Sequence, residues 1–201
     1  GDICEALGAD AREVTRIFLA DGKLNASGAY LKPGFAFGGS CLPKDLRALV
    51  HAARTHDLPS PLLQSVLPSN EAQVRRAVDA VLASRRKRVG IVGLAFKPGS
   101  DDLRESPFVA VVETLLGKGC QVRVLDRHLS IARLRGANRR FIEQEIPHLA
   151  SLLCDDPAAL VQDIDVLIVG HPGADAAAAV AAAGPDVAIV DLTRGGASRT
   201  P

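Results

Sequence analysis

The spacing of apolar residues changes near residue 85, and this change divides the chain into two halves of different build. From residue 88 onward, short apolar runs alternate with helical stretches; the runs cover residues 88–96, 121–126, 165–170 and 187–192. Largely continuous apolar runs are typical of strands that are covered on both faces, and their alternation with helices indicates parallel βαβ units. We therefore predict an α/β domain over residues 85–201, built on an open parallel sheet.

The first half, residues 1–84, is predicted to be mainly helical because its apolar residues recur at helical spacing. One predicted helix covers residues 5–20. A glycine-containing loop follows over residues 21–39, and loops of that length inside a compact domain are more often functional than idle.

Composition excludes several classes of protein. The 201 residues are 47% hydrophobic and carry a formal net charge of +1, which suits a globular chain and leaves no large basic surface for nucleic acid. The basic cluster at residues 85–88 is interpreted as the solvated end of a helix. No apolar run approaches the roughly 20 residues that span a bilayer, and no secretory leader opens the sequence. We expect a cytoplasmic protein without membrane or nucleic-acid partners.

The four cysteines stand far apart, at Cys4, Cys41, Cys120 and Cys154. They form no closely spaced pair, so reduced thiols are favoured over a disulfide framework, and no metal site is predicted.

Local signals place helix ends and loops in the second half. Ser106 and Pro107 form a helix start, with a capping serine and proline at the first helical position, and Gly119 ends that helix. Ligands in such sheets bind beyond the carboxyl ends of the strands. Any pocket is therefore expected among the loops after Phe96, Asp126, Gly170 and Asp191. His171 follows one of these strands, but it is predicted to be a surface histidine and receives no role.

The first strand is not followed by a dinucleotide-binding fingerprint. The run from Gly90 to Lys97 reads GIVGLAFK, which places its glycines inside the strand where a GxGxxG turn would be expected after it. The domain is predicted to be Rossmann-like in build without the standard phosphate turn.

The stretch GFAFGGSCLPKD, residues 34–45, marks Cys41 as a candidate nucleophile. Two glycines allow a sharp turn, and Pro43 fits the first turn of a following helix. Cys41 is therefore expected at a helix N-terminus, where the helix dipole and Lys44 both favour a thiolate. Asp45 returns to about the same face and can hold water or another polar group beside the sulfur. The alternative is a small buried cysteine at a helix cap.

Two long motifs resemble those of a known family. GFAFGGSCLPKDLRAL is similar to the active-site segment of the UDP-glucose/GDP-mannose dehydrogenase family, and FKPGSDDLRESP is similar to its second signature. Further similarity in residues 23–45, in GANRRFIEQEIPH and in DVLIVG points to the alginate-type branch that acts on GDP-mannose.

The resemblance implies a bacterial enzyme that oxidises GDP-mannose to GDP-mannuronate with two NAD+. It also implies a role for the thiol, because removal of two hydrides from a primary alcohol passes through an aldehyde. A cysteine thiolate can add to that aldehyde, surrender the second hydride as a thiohemiacetal, and leave a thioester for hydrolysis.

The resemblance assigns roles to nine residues. Cys41 matches the family nucleophile and Asp45 the aspartate that handles protons and water. Lys44 and Arg104 match contacts to NAD. The positions that match the nucleotide-sugar site are Tyr30, Lys32, Phe35, Gly38 and Lys97. Loop packing is the alternative for Tyr30 and Phe35.

The family comparison also implies a domain arrangement. Residues 1–84 correspond to a central helical domain that forms a homodimer, and residues 85–201 to the Rossmann-like nucleotide-sugar-binding domain. The N-terminal NAD-binding domain has no counterpart in this chain, so the chain alone is not expected to turn over. The alternatives are a UDP-sugar 6-dehydrogenase of the same family and a nucleotide-sugar-binding or dimerisation module without catalysis.

Overall fold

A computed structural model describes Cys4 and residues 7–22, 34–129, 147–193 and 198–200. Its centre is a five-stranded sheet of strands β1 (Arg88–Val92), β2 (Gln121–Leu125), β3 (Val166–Val169), β4 (Ala188–Asp191) and β5 (Ser198–Thr200). The strand order is β2-β1-β3-β4-β5. The first four strands are parallel, as the apolar runs predict, whereas β5 pairs antiparallel with β4. The predicted α/β class and parallel sheet are therefore confirmed.

The helices, in chain order, are α1 (Ala11–Leu19), α2 (Leu42–Thr55), α3 (Pro61–Leu82), α4 (Pro107–Gly117), α5 (Pro147–Ala150), α6 (Pro157–Val161) and α7 (Ala174–Ala182). Among the described residues, none of these helices is both long and apolar enough to cross a bilayer.

The hydrophobic core covers both faces of the parallel strands. On one face, Val89 and Ile91 pack with α4 and with the C-terminal turns of α3, where Val78 and Val81 are buried. On the other face, Leu167 and Val169 pack with α6 and α7. All of β3 and all but the first residue of β1 are therefore buried, which explains why these two central strands lack a polar alternation. In β2, by contrast, the exposed Gln121 and Arg123 alternate with buried residues.

Both predicted helix signals in the second half are confirmed. The Ser106 hydroxyl accepts a hydrogen bond from Phe108 N at 3.3 Å and donates one to the carbonyl of Leu94 at 2.6 Å. Gly119 adopts φ +75° just after α4 ends, which is the left-handed conformation that closes many helices.

The predicted helix over residues 5–20 is wrong at its N-terminal end. Gly8 has φ +68°, and α1 begins only at Ala11, where the carboxylate of Asp10 accepts a hydrogen bond from Arg12 N at 2.8 Å. The apolar spacing continued through Gly8, but a left-handed glycine and an aspartate cap start the helix later.

The described part of the helical half buries few apolar side chains. No residue of α1 is buried, and Pro43 is the one buried residue of α2. Large apolar side chains remain exposed on the first three helices and on the loop between α2 and α3: Val14, Ile17, Phe18, Leu42, Leu49, Leu58 and Leu62.

The basic cluster does more than cover a helix end, contrary to its interpretation from sequence. Arg86 donates to the backbone carbonyls of Asp165 and Asp186, and Lys87 donates to the carbonyl of Lys118 at 2.8 Å. Arg88 forms an ion pair with Asp165 at 2.6 Å. These side chains therefore bind the loops at the amino edge of the sheet.

Candidate active site

Cys41 is the N-cap of α2, as the sequence predicts, and the residue is exposed. Pro43 is buried in the first helical turn, and the amide of Asp45 closes that turn by donating to the Cys41 carbonyl at 2.8 Å. The hydroxyl of Ser40 lies 3.8 Å from the Cys41 sulfur. The sulfur therefore lies at the positive end of the α2 dipole.

The loop before Cys41 packs tightly on the second signature. A Cβ atom at Gly38 would overlap the carbonyl oxygen of Glu105 and lie 2.8 Å from Cδ of Pro107. Gly39 has φ +87°, and a Cβ there would lie 3.0 Å from the ring of Phe96. Glycine is required at both positions, because a larger residue would displace backbone or ring atoms. The two segments that carry the sequence motifs are therefore in direct contact.

A second support for the loop comes from α3. Phe37 N donates to Oδ1 of Asn70, and Nδ2 of Asn70 donates to the carbonyl of Phe37, both at 2.8 Å. Sequence reasoning missed Asn70. The available signal is an asparagine inside a long helix, a position where this residue is normally unfavourable.

The charged residues of the first turns of α2 are paired. Lys44 forms an ion pair with Asp45 at 3.2 Å, and both side chains are exposed. One turn further, Arg47 binds the carboxylate of Glu105 through two hydrogen bonds, and this contact raises the pKa of Arg47. Glu105 has φ +50°, a left-handed backbone conformation that is uncommon for a residue other than glycine. Its carbonyl lies against Gly38, and its carboxylate binds Arg47. Glu105 and Arg47 were also missed from sequence.

Arg104 is held in place by Asp102. The Asp102 carboxylate accepts from Nε, Nη2 and the backbone N of Arg104 at 2.8, 2.7 and 3.0 Å. These hydrogen bonds are the main reason why the pKa of Arg104 is raised and that of Asp102 is lowered. Cys41 adds a smaller electrostatic contribution to the Arg104 shift, so the guanidinium lies within electrostatic range of the sulfur.

The aromatic side chains link this loop to the sheet. Phe35 packs on Phe108 with ring centroids 5.2 Å apart, and Phe108 meets His171 edge-on at 5.1 Å. Lys97 is exposed, and its ammonium lies 5.4 Å from the centroid of the Phe96 ring. Phe35 therefore packs within the fold, which is the alternative to substrate binding that the sequence leaves open for it. Lys97 extends from the loop after β1 toward solvent.

A cleft of about 190 Å³ lies at the carboxyl edge of the sheet. It is lined by residues from the loops after β1, β2 and β3, as predicted. Its lining does not include the described residues that follow β4, Leu192 and Thr193.

At the turn after β1, where a Rossmann fold normally binds phosphate, two side chains of this protein contact the backbone. The Asp126 carboxylate accepts from Leu94 N at 2.8 Å and from Ala95 N at 3.2 Å. The ring of His171 lies against Gly93, where a Cβ would be 2.5 Å from it. Where a GxGxxG turn would offer its backbone amides to a phosphate, the amides of Leu94 and Ala95 already bind the Asp126 carboxylate. This turn therefore does not fit a dinucleotide pyrophosphate.

His171 is not the surface residue that the sequence predicts. Its side chain is half-buried in the lining of this cleft, and Nε2 is buried with no hydrogen-bond partner within the described residues. Burial lowers the pKa of His171, with smaller opposing effects from Asp126 and the backbone of Ala95. The neutral ring is therefore favoured.

The predicted site residues divide into three groups. Cys41, Lys44, Asp45 and Arg104 come together at the start of α2 and on the facing loop. Phe35, Gly38 and Lys97 lie on the loops that support this region. Tyr30 and Lys32 lie outside the described residues.

Comparisons with known proteins agree with the resemblance in the motifs. The UDP-glucose/GDP-mannose dehydrogenase family, central domain, matches residues 1–72, and the UDP binding domain of the same family matches residues 90–192. GDP-mannose 6-dehydrogenase of Pseudomonas aeruginosa is 48% identical over 171 residues, which are 85% of this chain and 39% of that protein. UDP-glucose 6-dehydrogenase of Rhizobium meliloti is 37% identical over 62% of this chain and 29% of that protein.

Solved structures show the same relationship. A ternary complex of GDP-mannose dehydrogenase from Pseudomonas aeruginosa superposes with a TM-score of 0.80 and 44% identity, covering 100% of this chain and 46% of that chain. UDP-glucose dehydrogenase from Pyrobaculum islandicum gives a TM-score of 0.74 and 28% identity, covering 94% and 41%. The chain spans less than half the length of these relatives. On the strength of two matching domains and this identity, the chain belongs to the UDP-glucose/GDP-mannose dehydrogenase family.

Proposed function

We propose that this chain is the C-terminal portion of an NAD-dependent GDP-mannose 6-dehydrogenase that oxidises GDP-mannose to GDP-mannuronate, a precursor for polysaccharides of the alginate type. The observation that carries the proposal is the exposed Cys41 thiol at the N-terminus of α2, inside a chain 48% identical to a GDP-mannose 6-dehydrogenase. A four-electron oxidation of an alcohol needs such a nucleophile, because the aldehyde intermediate must be converted into a species that can lose a second hydride.

The proposed chemistry assigns a role to each polar group near the thiol. The sulfur of Cys41 adds to the aldehyde carbon and forms a thiohemiacetal; loss of its hydride leaves a thioester, which water hydrolyses to the acid and the free thiol. Asp45 holds the water and takes a proton from it. The exposed Lys44 forms an ion pair with Asp45. Arg104, anchored by Asp102, provides positive charge beside the sulfur.

NAD supplies the hydride acceptor in this proposal. The described turn after β1 does not fit the cofactor, because Asp126 already occupies its amides. Lys44 and Arg104 are exposed cations that can meet phosphate oxygens at the mouth of the site. We therefore assign the main NAD-binding fold to a domain that is not part of these residues, and we expect the isolated chain not to turn over.

The nucleotide sugar is proposed to contact Tyr30, Lys32, Phe35, Gly38 and Lys97. Lys97 is suited to phosphate because its ammonium is exposed beside Phe96, which packs on the Cys41 loop. Gly38 is buried against Glu105, so its part is to allow close approach of the backbone.

A homodimer through the central helices is part of the proposal. Exposed apolar side chains on α1, α2 and α3 support it, among them Ile17 and Leu62, which are 62% and 77% exposed. Association would remove this apolar surface from water. The proposed domain boundary remains between residues 84 and 85, and the proposed location is the cytoplasm.

A UDP-sugar 6-dehydrogenase is the second candidate, because UDP-glucose 6-dehydrogenases of Rhizobium meliloti and Haloferax volcanii are 37% and 38% identical to parts of the chain. The test is NADH formation by the complete enzyme with GDP-mannose and with UDP-glucose, and competition between the two. A higher kcat/KM for GDP-mannose supports the proposal, whereas activity only with a UDP sugar would replace it. Binding of either sugar with no NADH formation would favour a non-catalytic binding module.

A further inference from the structure

Asn70 binds the backbone of the Cys41 loop through both ends of its side-chain amide. Its Oδ1 accepts from Phe37 N and its Nδ2 donates to the Phe37 carbonyl, each at 2.8 Å. Both residues are half-buried. The amide thus pairs with the loop in the way that one strand pairs with the next, although its own backbone belongs to α3.

This residue type is unfavourable in the middle of a helix. Asparagine costs up to about 0.7 kcal/mol relative to alanine at such a position, because its side chain competes for backbone hydrogen bonds. Phe37 requires a donor and an acceptor on separate atoms of one short side chain. Aspartate has no donor, and serine has both functions on a single oxygen with a shorter reach. The helix therefore holds a residue whose clearest contribution is to the loop.

The loop lacks side-chain anchors of its own between Phe37 and Cys41. Gly38 and Gly39 have none, so their position depends on backbone contacts with Glu105, Pro107 and Phe96. Asn70 fixes the loop one residue before these glycines. A shift at Phe37 would therefore move the two buried glycines and, through them, the N-terminus of α2.

We propose that Asn70 is a positioning residue that holds the Cys41 thiol at the distance needed for attack on the aldehyde. This inference rests on the proposed function, since it assigns Asn70 to one step of the thiol chemistry. Asn70 itself does not touch the reacting atoms.

The two oxidation steps depend on the thiol differently. In the first step the alcohol loses a hydride and a proton to become an aldehyde, and no bond to sulfur is formed. In the second step the Cys41 sulfur bonds to the aldehyde carbon, the resulting hydroxyl loses its proton, and the hydride leaves. A displaced thiol therefore slows the second step selectively, and the aldehyde accumulates. A merely structural defect would lower both steps together.

The experiment uses the complete enzyme that contains this chain, with Asn70→Asp and Asn70→Ser compared with wild type. Aspartate keeps the shape but loses the donor, and serine removes both hydrogen bonds without adding charge. Ser69→Ala, at the exposed preceding position of α3, is the matched control. The measurements are NADH released per GDP-mannose consumed, aldehyde trapped with hydroxylamine, kcat and KM separately, and the thermal midpoint.

For both Asn70 variants we expect kcat to fall by up to about 100-fold, the loss that a misplacement of about 1 Å can cause. We also expect an unchanged KM for the sugar, fewer than two NADH per sugar, and trapped aldehyde. Ser69→Ala should keep two NADH per sugar.

Two results would overturn the inference. One is wild-type kcat in both Asn70 variants, and the other is a lower rate that keeps two NADH per sugar without aldehyde. Parallel measurement of Cys41→Ser separates this inference from the proposed function. If that variant still releases two NADH per sugar, the thiol mechanism fails and the inference fails with it. If only the Asn70 variants behave as wild type, the inference alone fails.

Discussion

Gly38 lies directly against the carbonyl of Glu105, and this contact joins the segment that carries the thiol to the loop that carries Arg104. Glu105 also accepts two hydrogen bonds from Arg47 on α2. The nucleophile is thus positioned by the loop after β1 as well as by its own helix, and changes at either segment should affect the thiol.

Gly38→Ala should destabilise the fold and displace Cys41. The added methyl group would overlap Glu105 and press on Pro107, so backbone atoms must move. Overpacking of this kind costs about 1–3 kcal/mol of unfolding free energy. The measurement is urea unfolding, with Gly34→Ala as the control, because nothing lies within 4 Å of a Cβ at Gly34. Equal stability of the two variants would contradict the described contact.

The Arg47 and Glu105 side chains should show coupling in a double-mutant cycle. Because both are partly exposed, the effect on stability should be small and should shrink as salt is added. The more sensitive readout is kcat of the complete enzyme. Arg47→Ala and Glu105→Ala should each lower it, and the exchange Arg47→Glu with Glu105→Arg should recover part of the loss. Strict additivity of the single changes would argue against a shared role.

Asp126→Ala should lower stability by about 1–3 kcal/mol, because it leaves the buried amides of Leu94 and Ala95 without their acceptor. Asp126→Asn retains one acceptor oxygen and should cost less. Thermal or urea unfolding of both variants measures the difference. A gain of NAD binding by Asp126→Ala without any loss of stability would show that Asp126 blocks a cofactor site and does not support the loop.

His171 should make stability sensitive to mild acid. Burial lowers its pKa in the folded state below the ordinary value of about 6.5, so the unfolded chain takes up the proton first as the pH falls. The free energy of unfolding should therefore decline as the pH is lowered through about 6.5. His171→Leu should remove this part of the pH dependence, and comparison at pH 8 isolates the packing effect of the substitution. An identical pH dependence in both proteins would contradict the assignment.

Much of the fold follows from local sequence signals, whereas the support of the site does not. The strands after residue 88, the Ser106 cap, the Gly119 helix end and the position of Cys41 each depend on a few neighbouring residues, and the structure confirms them. Asn70, Glu105 and His171 act through contacts with residues distant in the chain, which no periodicity encodes. The short strand β5 was missed because it gains its order from pairing with β4.

The start of the first helix differs from the sequence prediction for a related reason. Apolar spacing reports which face of a segment is apolar, but Gly8 and Asp10 decide where regular hydrogen bonding begins. The roles of Tyr30 and Lys32 remain predictions from the resemblance.

The central claim is that Cys41 takes part in the second of two oxidations. The most direct test counts NADH released per GDP-mannose by the complete enzyme, with Cys41→Ser beside wild type and Cys154→Ser as the control. Cys154 is half-buried, and its sulfur donates to the carbonyl of Val124 at 3.2 Å, a contact that serine can keep. We predict two NADH per sugar for wild type and the control, and loss of the second NADH in Cys41→Ser. Two NADH per sugar from Cys41→Ser would contradict the account.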